Sequence, residues 1–372
     1  MSKVKRITGG ILSAAMALTM ITAAGCSTPK NAMTVEDTTY TTGEYLAYLY
    51  NSYYQIYTRN NFALYAQYGM DPWEQELTYG EGDDEQKLKA EDYIVRVAQD
   101  AMIRQVALKH KMEEYGITEL REQDVESAES ALKSVKNDDT IKLGFTKDTY
   151  SKMYKDFYCN EMALFYGLYD TNGQRAVTED DIRTYFEDNY RSYKIIEISL
   201  AGSDGSDLSE EDTQGVLDRL NGYLDLYKEN GDFNKVIDKY KQDEADAKAT
   251  EENPAETVTP STDDDNRKEL DVKQYGDEDF TNALDTVPVN EAKVIQYKKS
   301  GTTNTAALLL RLDPEEGEDR ENFFTDNRDN IIYGLRYEEF SKEMKDYIAT
   351  LKVEVNKTVE KKCRPKNFVT EK

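Results

Sequence analysis

From Thr41 to Tyr190 the apolar positions recur at helical spacing almost throughout. Thr41-Thr42-Gly43-Glu44 is a capping-box pattern and predicts a helix start. The threonine hydroxyl and the glutamate carboxylate would each satisfy a backbone N–H that the first turn leaves without a partner. Gly80, Gly82 and the acids around them predict a loop before the next helix. Between residues 88 and 115, Ile94, Val97, Ala101, Leu108, Met112 and Tyr115 form one apolar stripe, and Gly116 is its natural stop. Glu122 to Lys136 reads as a shorter, more polar helix. Thr146 caps a longer one with Tyr150, Met153, Tyr154, Phe157, Met162 and Phe165 on a broad face. Thr178 caps another, with Ile182, Tyr185, Phe186 and Tyr190.

The pattern then changes. Tyr193-Lys194-Ile195-Ile196-Glu197-Ile198-Ser199-Leu200 is β-rich and predicts the first strand after the N-terminal leader. Helices follow near 209–229 and 232–240, and strands at Lys293 to Tyr297 and Ala306 to Leu312. Residues 241–268 hold nine acids between Asp243 and Asp265, plus Pro254 and Pro260, with no Leu, Ile or Phe. Such a segment has too little apolar surface to offset its ordering entropy and is expected to be disordered. A last amphipathic helix, from about Arg320 to Leu351, carries Phe324, Ile331, Leu335, Phe340, Met344, Tyr347 and Leu351. It needs an apolar partner, which the N-terminal helices supply. The expected fold is mostly α with an inserted α+β module.

Ahead of all this stand Lys3, Lys5 and Arg6, an apolar run from Ile11 to Ile21, and Ala23-Ala24-Gly25 before Cys26. A basic start, a short apolar core and small residues describe a secretory signal. The core falls short of the about 20 apolar residues that span a bilayer. Ala23-Ala24-Gly25-Cys26 resembles the bacterial lipobox, which implies lipidation of Cys26 and attachment to the outer face of the cell membrane, with Ser27 to Lys30 as tether.

Charge narrows the partners. The chain has 47 Lys+Arg against 73 Asp+Glu, a net −26, and losing the three bases of the signal makes it −29. Such a protein repels nucleic acid and anionic lipid headgroups, so neither is an expected partner. One histidine, His110, excludes a multi-histidine zinc site, and no P-loop or dinucleotide fingerprint is present; no cofactor is expected. His110 lies between Lys109 and Lys111 and reads as a surface residue. Cys159 and Cys363 could pair, although Cys159 sits in an apolar helix and reads as a buried small hydrophobe. Tyrosine is the outlier at 28 residues, ten of them between Tyr40 and Tyr79. Rings with a polar tip suit both helix packing and interfaces. Tyr45, Tyr48, Tyr53 and Tyr57 are the candidate contact residues.

The layout resembles the PrsA and SurA type of extracytoplasmic foldase, in which a helical chaperone domain accompanies a parvulin-type peptidyl-prolyl isomerase domain. Ala176-Val177-Thr178 through Asn189-Tyr190 is similar to the helix leading into the parvulin domain. Glu197-Ile198-Ser199-Leu200 stands where parvulins have a histidine followed by Ile-Leu-Val. Asn230-Gly231-Asp232-Phe233 is similar to the family's Gly-Asp-Phe turn, and Val236 to Tyr240 continues the match. Asp279-Phe280-Thr281-Asn282-Ala283 with Val287 is similar to the next helix, and Ala307 to Leu312 to the closing strand. Glu197 replaces the first family histidine, Ala307 or Leu308 the second, and the glycine-rich Gly-Gly-Asp-Leu-Gly segment is absent. No catalytic residue is carried over. The resemblance implies a membrane-anchored chaperone or foldase for unfolded or nascent secreted polypeptides. The alternatives are an active parvulin-type isomerase and a solute-binding or surface-interaction lipoprotein. The expected division is a signal at 1–25, anchor and tether at 26–35, and a helical domain at 36–192. A degenerate parvulin-like domain follows at 193–316, then a C-terminal helix at 317–372 that packs on the N-terminal domain.

Overall fold

The computed structural model describes residues 30–368 except 61, 63–67, 81, 250–256 and 317–319, so Cys26 and the signal lie outside the described residues. The chain divides into two compact units, residues 1–176 with 336–372, and residues 177–335. The boundaries therefore fall before the helix capped by Thr178 and inside the final helix, not at 192/193 and 316/317.

The first unit begins with β1 (Asn31–Val35) and β2 (Thr38–Thr41), an antiparallel hairpin. The expected tether at 26–35 is thus strand from Asn31 onward, and strands precede the one expected first at Tyr193. Helix α1 (Thr42–Arg59) starts with both hydrogen bonds of the capping box in place. A second hairpin, β3 (Glu76–Tyr79) and β4 (Gln86–Lys89), occupies part of the expected loop. Each of these strands is only four or five residues long, too short for alternation to show in the sequence. Four helices follow: α2 (Ala90–Glu114), α3 (Glu122–Leu132), α4 (Asn137–Lys142) and α5 (Lys147–Tyr169). Leu49, Ile94, Met102, Leu108, Leu164 and Phe165 are wholly buried.

In the second unit, α6 (Glu179–Asn189) leads into β5 (Tyr190–Ser199). Then come α7 (Glu210–Asn230), α8 (Phe233–Lys248), β6 (Lys268–Asp271), α9 (Glu278–Asp285), β7 (Ala292–Lys299) and β8 (Thr303–Leu312). Gly231 at the end of α7 has φ +70, the left-handed conformation that glycine adopts without a Cβ penalty. The sheet runs β6-β5-β8-β7 and is antiparallel throughout. Alternation along the strands divides the core in two. Ile196, Leu308 and Leu310 pack with Leu220, Phe233 and Val236 of α7 and α8. Tyr193, Ala307 and Leu309 pack with Phe280 and Leu284 of α9.

The acidic stretch is a correction. Residues 241–248 continue α8, and Lys268–Asp271 pair with β5 as β6. Between them, Ser261 N–H donates to Asp238 Oδ2 (3.0 Å) and Val258 N–H to Gln242 Oε1 (2.9 Å). Behind β6, Arg267 reaches Glu269 (2.7 Å), Ser192 Oγ (2.9 Å) and the Asp313 carbonyl (2.7 Å). Polar groups order residues 257–268 where apolar groups are lacking, and residues 250–256 of the stretch lie outside the described residues.

The final helix is broken into α10 (Arg320–Asp326) and α11 (Arg328–Ile348). In the second unit, Gly334 of α11 leaves room for the ring of Tyr185, whose hydroxyl a Cβ there would strike. Past the division, α11 completes the helical unit: Phe340 is buried with its ring 5.4 Å from that of Phe165. Tyr337 donates to Glu161 (2.6 Å), which also holds Arg104 (2.8 Å). Burial raises the Glu161 carboxyl, but those donors outweigh it and the net shift is downward. Strand β9 (Val353–Val355) then pairs with β1, and α12 (Lys357–Lys362) follows. Cys159 and Cys363 are both buried and unpaired, so the possible disulfide is not formed. No described helix is long and apolar enough to cross a membrane.

Candidate functional site

Helix α1 sorts its tyrosines by angle. Tyr45, Tyr48, Leu49, Ser52 and Ile56 make the buried stripe. Tyr45 is wholly buried, and Tyr48 packs edge-on against Tyr40 at 5.8 Å, whose hydroxyl donates to the Met102 carbonyl (2.9 Å). Both are core residues, which corrects their assignment as contact residues. Tyr53 and Tyr57 are half-buried at 5.4 Å from each other, and Tyr53 also stacks on Trp73 at 5.9 Å. None of the four is a freely exposed ring.

The exposed ring on α1 is Tyr54, at 57%. It stands nine residues after Tyr45, about half a turn around the helix from it. Its counterpart on α5 is Tyr158, at 41%, whose hydroxyl accepts from Gln55 Nε2 of α1 at 3.0 Å. Tyr154 lies 4.3 Å from Tyr158, Tyr150 6.0 Å from Tyr154, and Tyr50 6.0 Å from Tyr150. A strip of rings thus grades from buried to exposed across α1 and α5. Burial pushes the Tyr154 phenol up to about 12 and raises those of Tyr50 and Tyr150, so all three stay neutral at physiological pH. Neutral phenols present apolar faces with polar rims. The signal that locates this strip is the four-residue spacing Tyr150-Tyr154-Tyr158, which composition alone obscures.

In the second unit, the alternation that buries Tyr193 turns Glu197 to the same side of β5. Its register partner on β8 is Ala307, which in turn lies opposite Ile295 of β7. Of the two alternatives for the second family histidine, Ala307 shares the Glu197 face and Leu308 faces α7 and α8. The Tyr297 hydroxyl donates to Glu197 Oε1, and Lys299 Nζ donates to both carboxylate oxygens (3.0 and 3.1 Å). Burial raises the Glu197 carboxyl, but Tyr297 and Lys299 overcome this and hold it below the ordinary range. Burial and the adjacent carboxylate push the Tyr297 phenol far up. At neutral pH the Glu197 carboxyl is therefore ionised and the Tyr297 phenol neutral. Beneath it, the Phe280 ring lies 5.0 Å from Tyr297 and 5.4 Å from Tyr193. Asp277 caps α9 through Phe280 N–H (3.1 Å) and accepts from Ser300 N–H (2.8 Å), fixing the β7–β8 turn to that helix. An open groove of about 760 Å³ runs along β7, lined by Asp279, Asn282, Gln296, Tyr297 and Asn304 among others.

His110 is half-buried in the helical unit, with Nδ1 3.1 Å from the Tyr347 hydroxyl and Nε2 3.5 Å from Asp37, so it is less exposed than its lysine neighbours imply. No cluster of potential metal ligands exists among the described residues.

The fold defines a discontinuous helical domain carrying an α+β module built on a four-stranded antiparallel sheet. No family model and no curated protein matches the sequence. Solved structures similar to it include the foldase PrsA from Streptococcus pneumoniae, 14% identical over 77% of this chain and 94% of that one, TM-score 0.36. PrsA from Lactococcus lactis is 12% identical over 90% and 94%, TM-score 0.30. PrsA from Bacillus cereus, described as a peptidylprolyl isomerase, is 13% identical over 77% and 98%, TM-score 0.28. Superpositions this loose leave the activity to be argued from this chain's own residues.

Proposed function

We propose that this protein is a chaperone of the foldase type, anchored through lipid on Cys26 outside the cell membrane, that holds unfolded secreted polypeptides on its helical unit. The observation that carries the proposal is the tyrosine strip of α1 and α5, with Tyr54 and Tyr158 open to solvent. Unfolded chains expose scattered apolar groups and demand contact area without one fixed geometry. Tyrosine provides this at small entropic cost, because few rotamers are lost on contact and the hydroxyl stays hydrated. Excess acidic charge adds attraction for basic clients, screened beyond about 8 Å at physiological salt. The module, in this proposal, is a parvulin-like scaffold without isomerase activity.

A second reading keeps that activity. It is favoured by the aromatic floor of Tyr193, Phe280 and Tyr297, with Glu197 standing where the resemblance has its first histidine. Barriers of about 20 kcal/mol to rotation about X-Pro bonds fall in a shaped apolar pocket backed by a polar network. Here the network is closed on itself by Tyr297 and Lys299.

Site-specific photo-crosslinking separates the two. A benzophenone amino acid at position 54 or 158 should capture a reduced, unfolded model protein, and the same probe at the exposed Tyr275 of the module should not. Capture at 275 with none at 54 or 158 would transfer the function to the module.

A further inference from the structure

We infer that the basic segment Lys357–Lys366 is a second membrane contact, lying against anionic phospholipid headgroups beside the lipid anchor. The inference rests on lipidation of Cys26 and contradicts what total charge implies. In a chain of net −26, these ten residues hold Lys357, Lys361, Lys362, Arg364 and Lys366 against one acid, Glu360. Bases in the last turn of α12 would suit its C-terminal dipole wherever the helix stood. Location is what distinguishes this segment.

Asn356, the N-cap of α12, donates from its backbone N–H to the Ala32 carbonyl (2.8 Å) and from Nδ2 to the Asn31 carbonyl (3.0 Å). The β1–β9 pairing therefore brings the basic helix to the point where the tether enters the fold. Lys30 is held there too, its carbonyl accepting from Thr42 N–H (2.9 Å). Five peptide steps separate Cys26 from Asn31, a reach of at most about 18 Å. This end of the helical unit consequently stays near the bilayer.

Local charge then decides the sign. Arg364 pairs with Glu91 (3.1 Å) and Asp92 (2.5 Å), and Lys357 with Glu360 (2.8 Å). No described carboxylate pairs with Lys361 or Lys362, both exposed. Lys352 lies at the far end of β1, bonded to Glu36. Around the point of entry, Lys30 and the five bases of the segment stand against Glu44, Glu91, Asp92, Glu354 and Glu360, an excess of one positive charge. Screening over about 8 Å removes the remote acids from the balance, so this end meets the membrane as a cationic face.

The test uses the lipidated mature protein in vesicles, either phosphatidylcholine alone or with about one third phosphatidylglycerol, followed by brief lysine acylation and peptide mass spectrometry. Labelling of Lys361 and Lys362 should slow roughly threefold or more in the anionic vesicles and recover in roughly 0.5 M salt. Lys298 of the module serves as the reference and should label equally in both. Equal rates at Lys361 and Lys362 in both vesicles, with the protein still vesicle-bound, would overturn the inference and leave the anchor standing. Protein that washes off both vesicles and carries no acyl chain on Cys26 would overturn both.

Discussion

Tyrosine is used in opposite ways in the two units. On α1 and α5 the outer rings of Tyr54 and Tyr158 are exposed to solvent, and the Tyr158 hydroxyl meets the neutral amide of Gln55. On the module, Tyr297 is buried and its hydroxyl is committed to Glu197, which Lys299 also holds. A ring of the first kind can meet any apolar partner. One of the second kind is part of a charge-assisted network, and freeing it leaves a carboxylate without its donor. The difference teaches that an abundance of tyrosine does not mark a surface; the partner of each hydroxyl and the angle of each ring do.

Several substitutions can break or sharpen this contrast. The largest effect is expected at Phe340, which ties the returning helix α11 to the helical unit through Phe165. Phe340→Ala should lower the unfolding free energy by about 3–5 kcal/mol, followed by urea denaturation and circular dichroism. A loss under about 1 kcal/mol would mean that the C-terminal helix does not complete the N-terminal core.

Next in size is the Glu197 network. Glu197→Gln should cost about 1–3 kcal/mol at neutral pH. The folded carboxyl lies below its ordinary value of 4.5, so its contribution is present above 4.5 and is lost as pH falls through the lower folded value. The folded Tyr297 phenol lies above its ordinary value of 10.0, so its contribution is complete below 10.0 and is lost as pH rises toward the folded value. The stability difference between wild type and variant should therefore be flat from just above 4.5 to 10.0 and collapse in acid. A difference that grows on acidification would contradict the ion-paired network.

Smaller still is the expected catalytic signal. A protease-coupled assay on proline tetrapeptides should give no isomerisation above the uncatalysed rate at micromolar protein, because both family histidines and the glycine-rich segment are absent and Glu197 is engaged by Tyr297 and Lys299. Activity that vanishes in Glu197→Ala would make Glu197 functional in catalysis.

Helix starts were legible because capping is local: Thr41, Thr146 and Thr178 each cap the helix expected of them. The strands β5 and β7 were legible from their β-branched and aromatic residues, and β8 from a short continuous apolar run, Ala306 to Leu310. The register that sets Glu197 opposite Ala307 was not, since pairing depends on residues more than a hundred positions apart. Residues 257–268 misled for a physical reason. Their order comes from Ser261, Asn266 and Arg267 bonding to partners in α8 and β5, and apolar composition is blind to that. Of the four candidate contact residues, Tyr45 and Tyr48 fall on buried positions of α1, because density of tyrosine does not reveal the angle of each ring.

The most direct measurement compares two variants of the full mature chain in one aggregation assay with a reduced, unfolded model protein. Tyr54→Ser with Tyr158→Ser should shift stability by about 1.5 kcal/mol or less, the cost falling on the Tyr154 contact and the Gln55 bond of Tyr158, yet remove at least about half of the delay in aggregation. Glu197→Gln should leave that delay intact. A delay that survives the tyrosine changes and is lost with Glu197→Gln would contradict the account and put client binding on the module.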